Sequence, residues 1–530
     1  MPSWRATGTG GSGNATRVNC RSNETFTISP EPCPMNRCKL LLVPIAVLLF
    51  AQQALAQNIV VILSDDQGWT GTSVRMDNRV VASASDLYQT PSLERLAAEG
   101  MKFSNAYSPA PNCSPTRMSI QTGKTAARLG ATDIIDVVAD ENGVANIQVF
   151  HDTMYFNKPM IVPFPVSDIA DEETTIAELL KQHDPDYATG HFGKWHMGGG
   201  SPERHGYDAH NGLTSNDEGF APQPAAKRSD EVTDDAVAFI EEQAQSGRPF
   251  FVQVSYYAVH TPVRARPETL AKYSDYLVQK DLGMFGDQTH TNAAYAAMTE
   301  EMDQGVGRIL DALDRVGVAD DTYVIFTSDN GGESDNPVTN NVPLAWGKTH
   351  VWEGGIRVPL FIRGPGIEGG TQSNEPVVGY DFMPTIADWV GASERLPGDL
   401  DGGSLVPVLE NGGDGSVDRP TEPLIWFYGA YRNQKHVTPQ AAIRRGNHKL
   451  IWELEPDRTY LYDLDMDLRE STDLSRFRPE VAESMFAELK AYLDDVGTNL
   501  PTPNPDYDPA LDGGLRPLVF EDRVEETADP

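Results

Sequence analysis

The run Asn58-Ile59-Val60-Val61-Ile62-Leu63-Ser64-Asp65-Asp66-Gln67-Gly68 is apolar without a break from Ile59 to Leu63, then turns abruptly acidic. A strand with one wet face alternates between apolar and polar residues. An unbroken run of this kind suits a strand covered on both faces, as in a parallel sheet. Similar runs recur at Tyr187 to Phe192, Pro249 to Ser255, Thr322 to Thr327 and Val358 to Ile362. Helical patterns lie between them: one opened by Thr90-Pro91-Ser92 and closed by Gly100, then Thr175 to Gln182, Asp230 to Gln245 and Thr291 to Val316. This alternation predicts an α/β fold, with a large mixed, mostly parallel sheet flanked by helices.

Beyond Pro423 the segments become short and turn-separated, at Leu424 to Phe427, Gln440 to Arg444, Lys449 to Leu454 and Thr459 to Asp463. An amphipathic stretch from Pro479 to Asp494 follows. The chain therefore reads as an α/β domain over 57–423 and a smaller C-terminal α+β subdomain over 424–497, with an antiparallel sheet and one helix. The tail over 498–530 is rich in Pro, Asp and Gly and is expected to be extended or disordered.

At the other end, Arg37 and Lys39 precede an apolar stretch from Leu40 to Phe50 and the small-residue site Ala54-Leu55-Ala56. That order predicts a secretory signal over 35–56, too short in its apolar part to span a bilayer. Met35 is the expected start, residues 1–34 an upstream extension, and the mature protein periplasmic or secreted without a stable membrane anchor. Of the cysteines Cys20, Cys33, Cys38 and Cys113, only Cys113 would survive cleavage. A lone cysteine in an oxidising compartment forms no internal disulfide, so it is an inert buried thiol, a reactive one, or a modified residue.

The formal net charge of -35 argues against a nucleic-acid partner, because no basic stripe is there to meet phosphates. Any site for an anion must carry its own concentrated positive charge. In open α/β sheets ligands sit beyond the carboxyl ends of strands, and polar clusters fall at those ends. Asp65-Asp66 follows the first run, Lys194-Trp195-His196 another, His260 a third, and Ser328-Asp329-Asn330-Gly331 a fourth. Asp65, Asp66, Asp329 and Asn330 make a hard oxygen set that suits Ca²⁺, or Mg²⁺, better than zinc. In Cys113-Ser114-Pro115-Thr116-Arg117 the sequence predicts a helix start, with Ser114 as N-cap and Pro115 at the first helical position. Cys113 would then lie beside free backbone N–H groups that favour an anion. An unmodified thiol there would be a candidate low-pKa nucleophile.

Cys113-Ser114-Pro115-Thr116-Arg117 followed by Thr122-Gly123-Lys124 resembles the signature of the formylglycine-dependent sulfatases, in the alkaline-phosphatase-like superfamily. The remaining motifs come in the same order along nearly the whole mature chain: Asp65-Asp66, Gly193-Lys194-Trp195-His196, His260-Thr261-Pro262, Ser328-Asp329-Asn330-Gly331, and Gly347-Lys348 before Glu353-Gly354-Gly355. Thr116 stands where Ser is commonest and Gln121 where Leu is usual; neither change removes a reacting group.

The resemblance implies a sulfatase catalytic domain over 57–423. A separate maturation enzyme would oxidise Cys113 to formylglycine (3-oxoalanine), whose hydrate attacks the sulfur of a sulfate ester. It further implies Asp329 as base, His196 as acceptor of the second hydroxyl proton, and Arg117 steadying the diol. Lys194 and Lys348 would balance charge, and His260, with Lys348, would protonate the leaving oxygen. The expected substrate is a sulfated carbohydrate or a small sulfate ester. Trp69, His151, His205, His210, Asn211 and Trp352 are candidates to line a sugar site, since aromatic faces stack on sugars. Two alternatives remain at this stage: a phosphate or phosphonate ester hydrolase on the same scaffold, and a non-catalytic protein that binds sulfated glycans.

Overall fold

The Ile59–Leu63 run forms the middle of strand β1 (Asn58–Ser64), which pairs in parallel with a strand on each side. The computed structural model describes residues 57–135, 157–198, 200–216, 219, 227–279, 290–334, 338–432 and 437–511. The expected signal segment, His151 and the end of the tail lie outside them. Along the chain the main sheet takes β1, β2 (Met101–Phe103), β3 (Ala188–Gly193), β4 (Ala209–His210), β5 (Phe250–Ser255), β6 (Thr322–Ser328), β7 (Leu360–Arg363) and β8 (Thr371–Ser373). Across the sheet the order is β8-β2-β7-β6-β1-β5-β3-β4. Only β7 runs against its neighbours, β6 and β2; the other pairs are parallel.

The apolar run needs no alternation because both faces of the sheet are covered. Ile59, Val61 and Leu63 pack on one side with α2 (Cys113–Thr122), α3 (Ile176–His183) and a helix over Phe382–Val390. Val60 and Ile62 pack on the other with α1 (Pro91–Glu99), α4 (Ser229–Ser246) and α5 (Ala293–Val316). Helix starts follow local chemistry. Thr175 caps α3 in a reciprocal box with Glu178, and the Asn292 side chain caps α5. Helix α1 makes no such bond with Thr90; buried Asp303 of α5 accepts from the N–H groups of Ser92 and Leu93 instead.

After Pro423 the chain forms a four-stranded antiparallel meander of β9 (Leu424–Tyr428), β10 (Gln440–Arg445), β11 (His448–Glu453) and β12 (Arg458–Asp463). One face, with Ile425, Phe427, Ile443 and Leu450, packs on Met485 and Leu489 of the helix Pro479–Asp495. The opposite face, with Trp426, Ala442 and Ile451, packs on Tyr107, Val351 and Ile356 of the main body. Thr502 and Pro503 then run extended beside Ile161 and Met160.

A buried polar cluster joins the two sheets. Lys449 of β11 donates to Glu353 at 2.9 Å and to Glu470 at 2.8 Å, and Arg357 and Tyr107 also donate to Glu353. Burial would raise Glu353, but Lys449, Arg357 and Arg444 outweigh it and hold its carboxyl down to about 2. Burial wins at Glu470, which is pushed up to about 7 despite Lys449. A carboxyl raised in the folded state stabilises the fold below its unfolded pKa, and that contribution is lost as pH rises through the folded value. As pH rises from 5 to 8, Glu470 should therefore weaken the fold. Urea denaturation of the wild type and Glu470→Gln across this range should show the stability difference moving toward the variant.

Candidate active site

Topology brings the polar clusters to one end of the sheet. Asp65 and Asp66 follow β1, Lys194 follows β3, His260 lies beyond β5, and Asp329 and Asn330 follow β6. Backbone bonds lock these turns together: Asp65 N–H donates to Ala258 O, Lys194 N–H to Ser255 O, and Asp329 N–H to Ser64 O. Asp66 holds a left-handed conformation (φ 61°), as does His196 (φ 51°). Two glycines of the motifs answer to close approach. A Cβ on Gly331 would fall 1.9 Å from Gly354 O, and one on Gly193 1.9 Å from Ser255 O.

Helix α2 begins at Cys113 itself, with Asn112 in extended conformation before it. This corrects the expected cap. Ser114 is already helical, and its hydroxyl accepts from Ile135 N–H instead. Pro115 stays within the first turn, where its missing N–H costs no intrahelical bond. Cys113 is 1% exposed, with Sγ 3.7 Å from Asp65 Oδ1. Burial first, then the Asp329 and Asp65 carboxylates, push its thiol well up despite Lys194 and Lys348. Burial therefore works against the low-pKa nucleophile read from the helix start.

Around Cys113 three buried carboxylates face three cations. Lys194 Nζ lies 2.6 Å from Asp65 Oδ2, and Lys348 Nζ lies 2.7 and 2.9 Å from the two oxygens of Asp66. Arg117 forks onto Asp329 Oδ2 through Nε (3.1 Å) and Nη2 (2.7 Å), and donates from Nη1 to Lys194 O. Burial would raise Asp65, yet Lys194, His260, Arg117 and Lys348 hold it well below the carboxylate range. Asp66 is likewise lowered against burial, mainly by Lys348. Asp329 goes the other way: burial and the Asp65 charge push it up to about 6. The His260 carbonyl-side bond fixes its tautomer. Nδ1 lies on Thr261 O, which can only accept, so Nδ1 carries the proton and Nε2 faces Asp66 Oδ2 at 3.7 Å.

The donor set fits a hard cation. Asp65, Asp66, Cys113 and His260 bring donor atoms within 4.8 Å of one another. Asn330 Nδ2 donates to Asp66 Oδ1 (2.7 Å) and Gly331 O (2.9 Å), while its Oδ1 is buried with no hydrogen-bond partner among the described residues. Asp329 accepts from Asp66 N–H at 3.1 Å. The carboxylate oxygens of Asp65, Asp66 and Asp329 and the amide oxygen of Asn330 match Ca²⁺ or Mg²⁺, with His260 Nε2 as a nitrogen donor beside them.

The sugar-lining candidates fare differently. Trp69 is wholly buried with Arg357 over its ring at 5.3 Å, and His205 is buried and stacked on Trp195. Trp352 is enclosed between His350 and Tyr460. None of the three has an open face for a sugar, and their size is spent on packing. His210 is half-buried; Asn211 braces the turn before Lys194 by accepting from Gly193 N–H and donating to Asp235. Trp346 is 54% exposed and stacked on His350 at 4.7 Å, two residues before Lys348 in the chain. Sequence reasoning passed over it because no periodic or motif signal marks it.

Residues 57–392 match the family described as Sulfatase, and residues 345–498 that described as N-sulphoglucosamine sulphohydrolase, C-terminal. A sulfatase of Formosa agariphila is 29% identical over 525 residues, covering 84% of this chain and 90% of that one. The N-acetylgalactosamine-6-sulfatase of Mus musculus is 29% identical over 427 residues, covering 74% and 72%. Among solved structures, Ps i-CgsB in complex with k-i-k-neocarrahexaose shares the fold at TM-score 0.65 and 23% identity, covering 86% of this chain and 96% of that one. BT4656 in complex with D-glucosamine-2-N,6-O-disulfate does so at TM-score 0.60 and 19% identity, covering 84% and 99%.

The cation fit has a readout independent of turnover. Ca²⁺ at about 100 times its Kd should stabilise the wild type by about 2.7 kcal/mol and raise its unfolding temperature. Asn330→Leu, which removes the orphaned oxygen, should abolish most of that rise in a thermal melt.

Proposed function

The chain belongs to the sulfatase family, and from that premise we propose that it removes sulfate from a sulfated carbohydrate through a formylglycine made from Cys113. The observation that carries this reading is Cys113 at the first position of α2, enclosed by Asp65, Arg117, Lys194 and Lys348. Burial works against the thiol as a nucleophile there. Its aldehyde hydrate instead offers two hydroxyls on one carbon: the first attacks sulfur, and the second lets the sulfate leave without water having to attack a stable ester.

In this mechanism Asp329, the carboxyl least firmly held as an anion, takes the proton of the attacking hydroxyl. Lys194 and Lys348 face the non-bridging sulfate oxygens, and Arg117 keeps Asp329 in place. His196 takes the proton of the second hydroxyl as the aldehyde re-forms. A Ca²⁺ or Mg²⁺ ion held by Asp65, Asp66, Asp329 and Asn330 would supply extra positive charge to a site whose own charges nearly balance. His260 hands a proton to the leaving oxygen. Burial and Lys348 push it down to about 3 in the free chain, and the negative charge of a bound sulfate opposes that push.

Two observations support a sugar as the group that leaves. The relatives include an N-acetylgalactosamine-6-sulfatase, and Trp346, 54% exposed, stands two residues before Lys348 in the chain. The charge, apolar stretch and Ala-x-Ala order of residues 35–56 support export to the periplasm or medium, where sulfated polysaccharide is met. Among the described residues no helix is long and apolar enough to cross a membrane.

Ion chromatography of sulfate released from sulfated oligosaccharides tests the reading. Cys113→Ala should reduce release to background. Trp346→Ala should raise KM about 2- to 10-fold, matching the roughly 0.5–1.5 kcal/mol of an aromatic stack, with kcat nearly unchanged.

A further inference from the structure

Lys227 belongs to none of the motifs, yet it is buried at 2% exposure beside the His260 turn. It stands just before α4, and both it (φ 49°) and Arg228 (φ 57°) hold left-handed conformations. Two adjacent non-glycine residues in that region are costly and persist only where surrounding contacts fix them. The contacts are visible. Lys227 Nζ donates to Thr261 O at 3.2 Å and to Pro262 O at 3.3 Å. Thr261 O is the same carbonyl that receives His260 Nδ1–H. A carbonyl oxygen has two lone pairs, so His260 and Lys227 together saturate it.

We infer that Lys227 is a positioning residue: by tethering the Thr261 and Pro262 carbonyls it fixes the acceptor that orients the His260 ring toward the reacting oxygen. This rests on His260 being the proton donor to the leaving group. A surface lysine would reach water at no cost, but burial pushes Lys227 down to about 8, against the pull of Asp65 and Asp66. Keeping an ammonium there is expensive, and two of its bonds run to the carbonyls beside His260. Lysine suits this task because three rotatable donors on one nitrogen can serve adjacent carbonyls at once. The side chain need not touch substrate. Its effect passes through one shared oxygen to the imidazole.

The test compares full-length, formylglycine-containing wild type, Lys227→Met, Lys227→Arg and His260→Asn on aryl sulfates of rising leaving-phenol pKa. Proton donation matters most for poor leaving groups, so loss of an aligned donor steepens the dependence of kcat on phenol pKa. Lys227→Met should lose about 10-fold or more on the poorest leaving group and less than about 2-fold on 4-nitrophenyl sulfate, with KM nearly unchanged. Lys227→Arg should restore most of the wild-type slope, and His260→Asn should steepen it further. A Lys227→Met variant whose losses are uniform across the series, while His260→Asn steepens it, would overturn the role of Lys227 and leave the proposed mechanism standing. A flat His260→Asn series would overturn both.

Discussion

Six buried charges at the carboxyl ends of the strands constrain everything else in this molecule. Asp65, Asp66 and Asp329 cannot be withdrawn from water unless Lys194, Lys348 and Arg117 are held within hydrogen-bonding distance. No local segment supplies that match. The carboxylates come from β1 and β6, the cations from the turn after β3, the loop after β6 and helix α2. The parallel sheet is what brings them together, and it can do so only because both of its faces are buried under helices. Site and scaffold are thus one problem: the apolar run that reads as a buried strand also carries its two aspartates to the carboxyl end of the sheet.

That balance also addresses the charge of the whole chain. A net charge of -35 repels an anionic substrate at long range. Within the site three cations offset three carboxylates, with Cys113 at the N-terminal end of α2. The C-terminal sheet completes the enclosure. Its inward face covers Tyr107 and Ile356, and the Glu353–Lys449–Glu470 cluster locks it down behind the loop that carries Lys348.

Much of this was legible in the residues. The two-sided strands, most helix boundaries and the antiparallel meander follow from hydrophobic period and turn residues, and the motif order gives the family resemblance. What escaped depended on tertiary contact. The reversed direction of β7 has no local signature, because a buried strand reads the same either way. Ser114 resembled an N-cap, but Asn112 already holds the extended conformation before the helix. Trp69 and Trp352 looked like sugar platforms since sequence shows the ring and not what covers it; the same blindness hid Trp346. Lys227 was invisible for a further reason. Its significance lies in one carbonyl oxygen shared with a histidine 33 positions away.

The central claim is that the working protein contains no thiol at position 113. The tryptic peptide Phe103 to Arg117, isolated from protein that hydrolyses sulfate esters, measures this directly by mass. The account predicts a peptide lighter than the encoded one and reactive toward a hydrazine, as an aldehyde requires. A peptide of unmodified mass from fully active protein would contradict it.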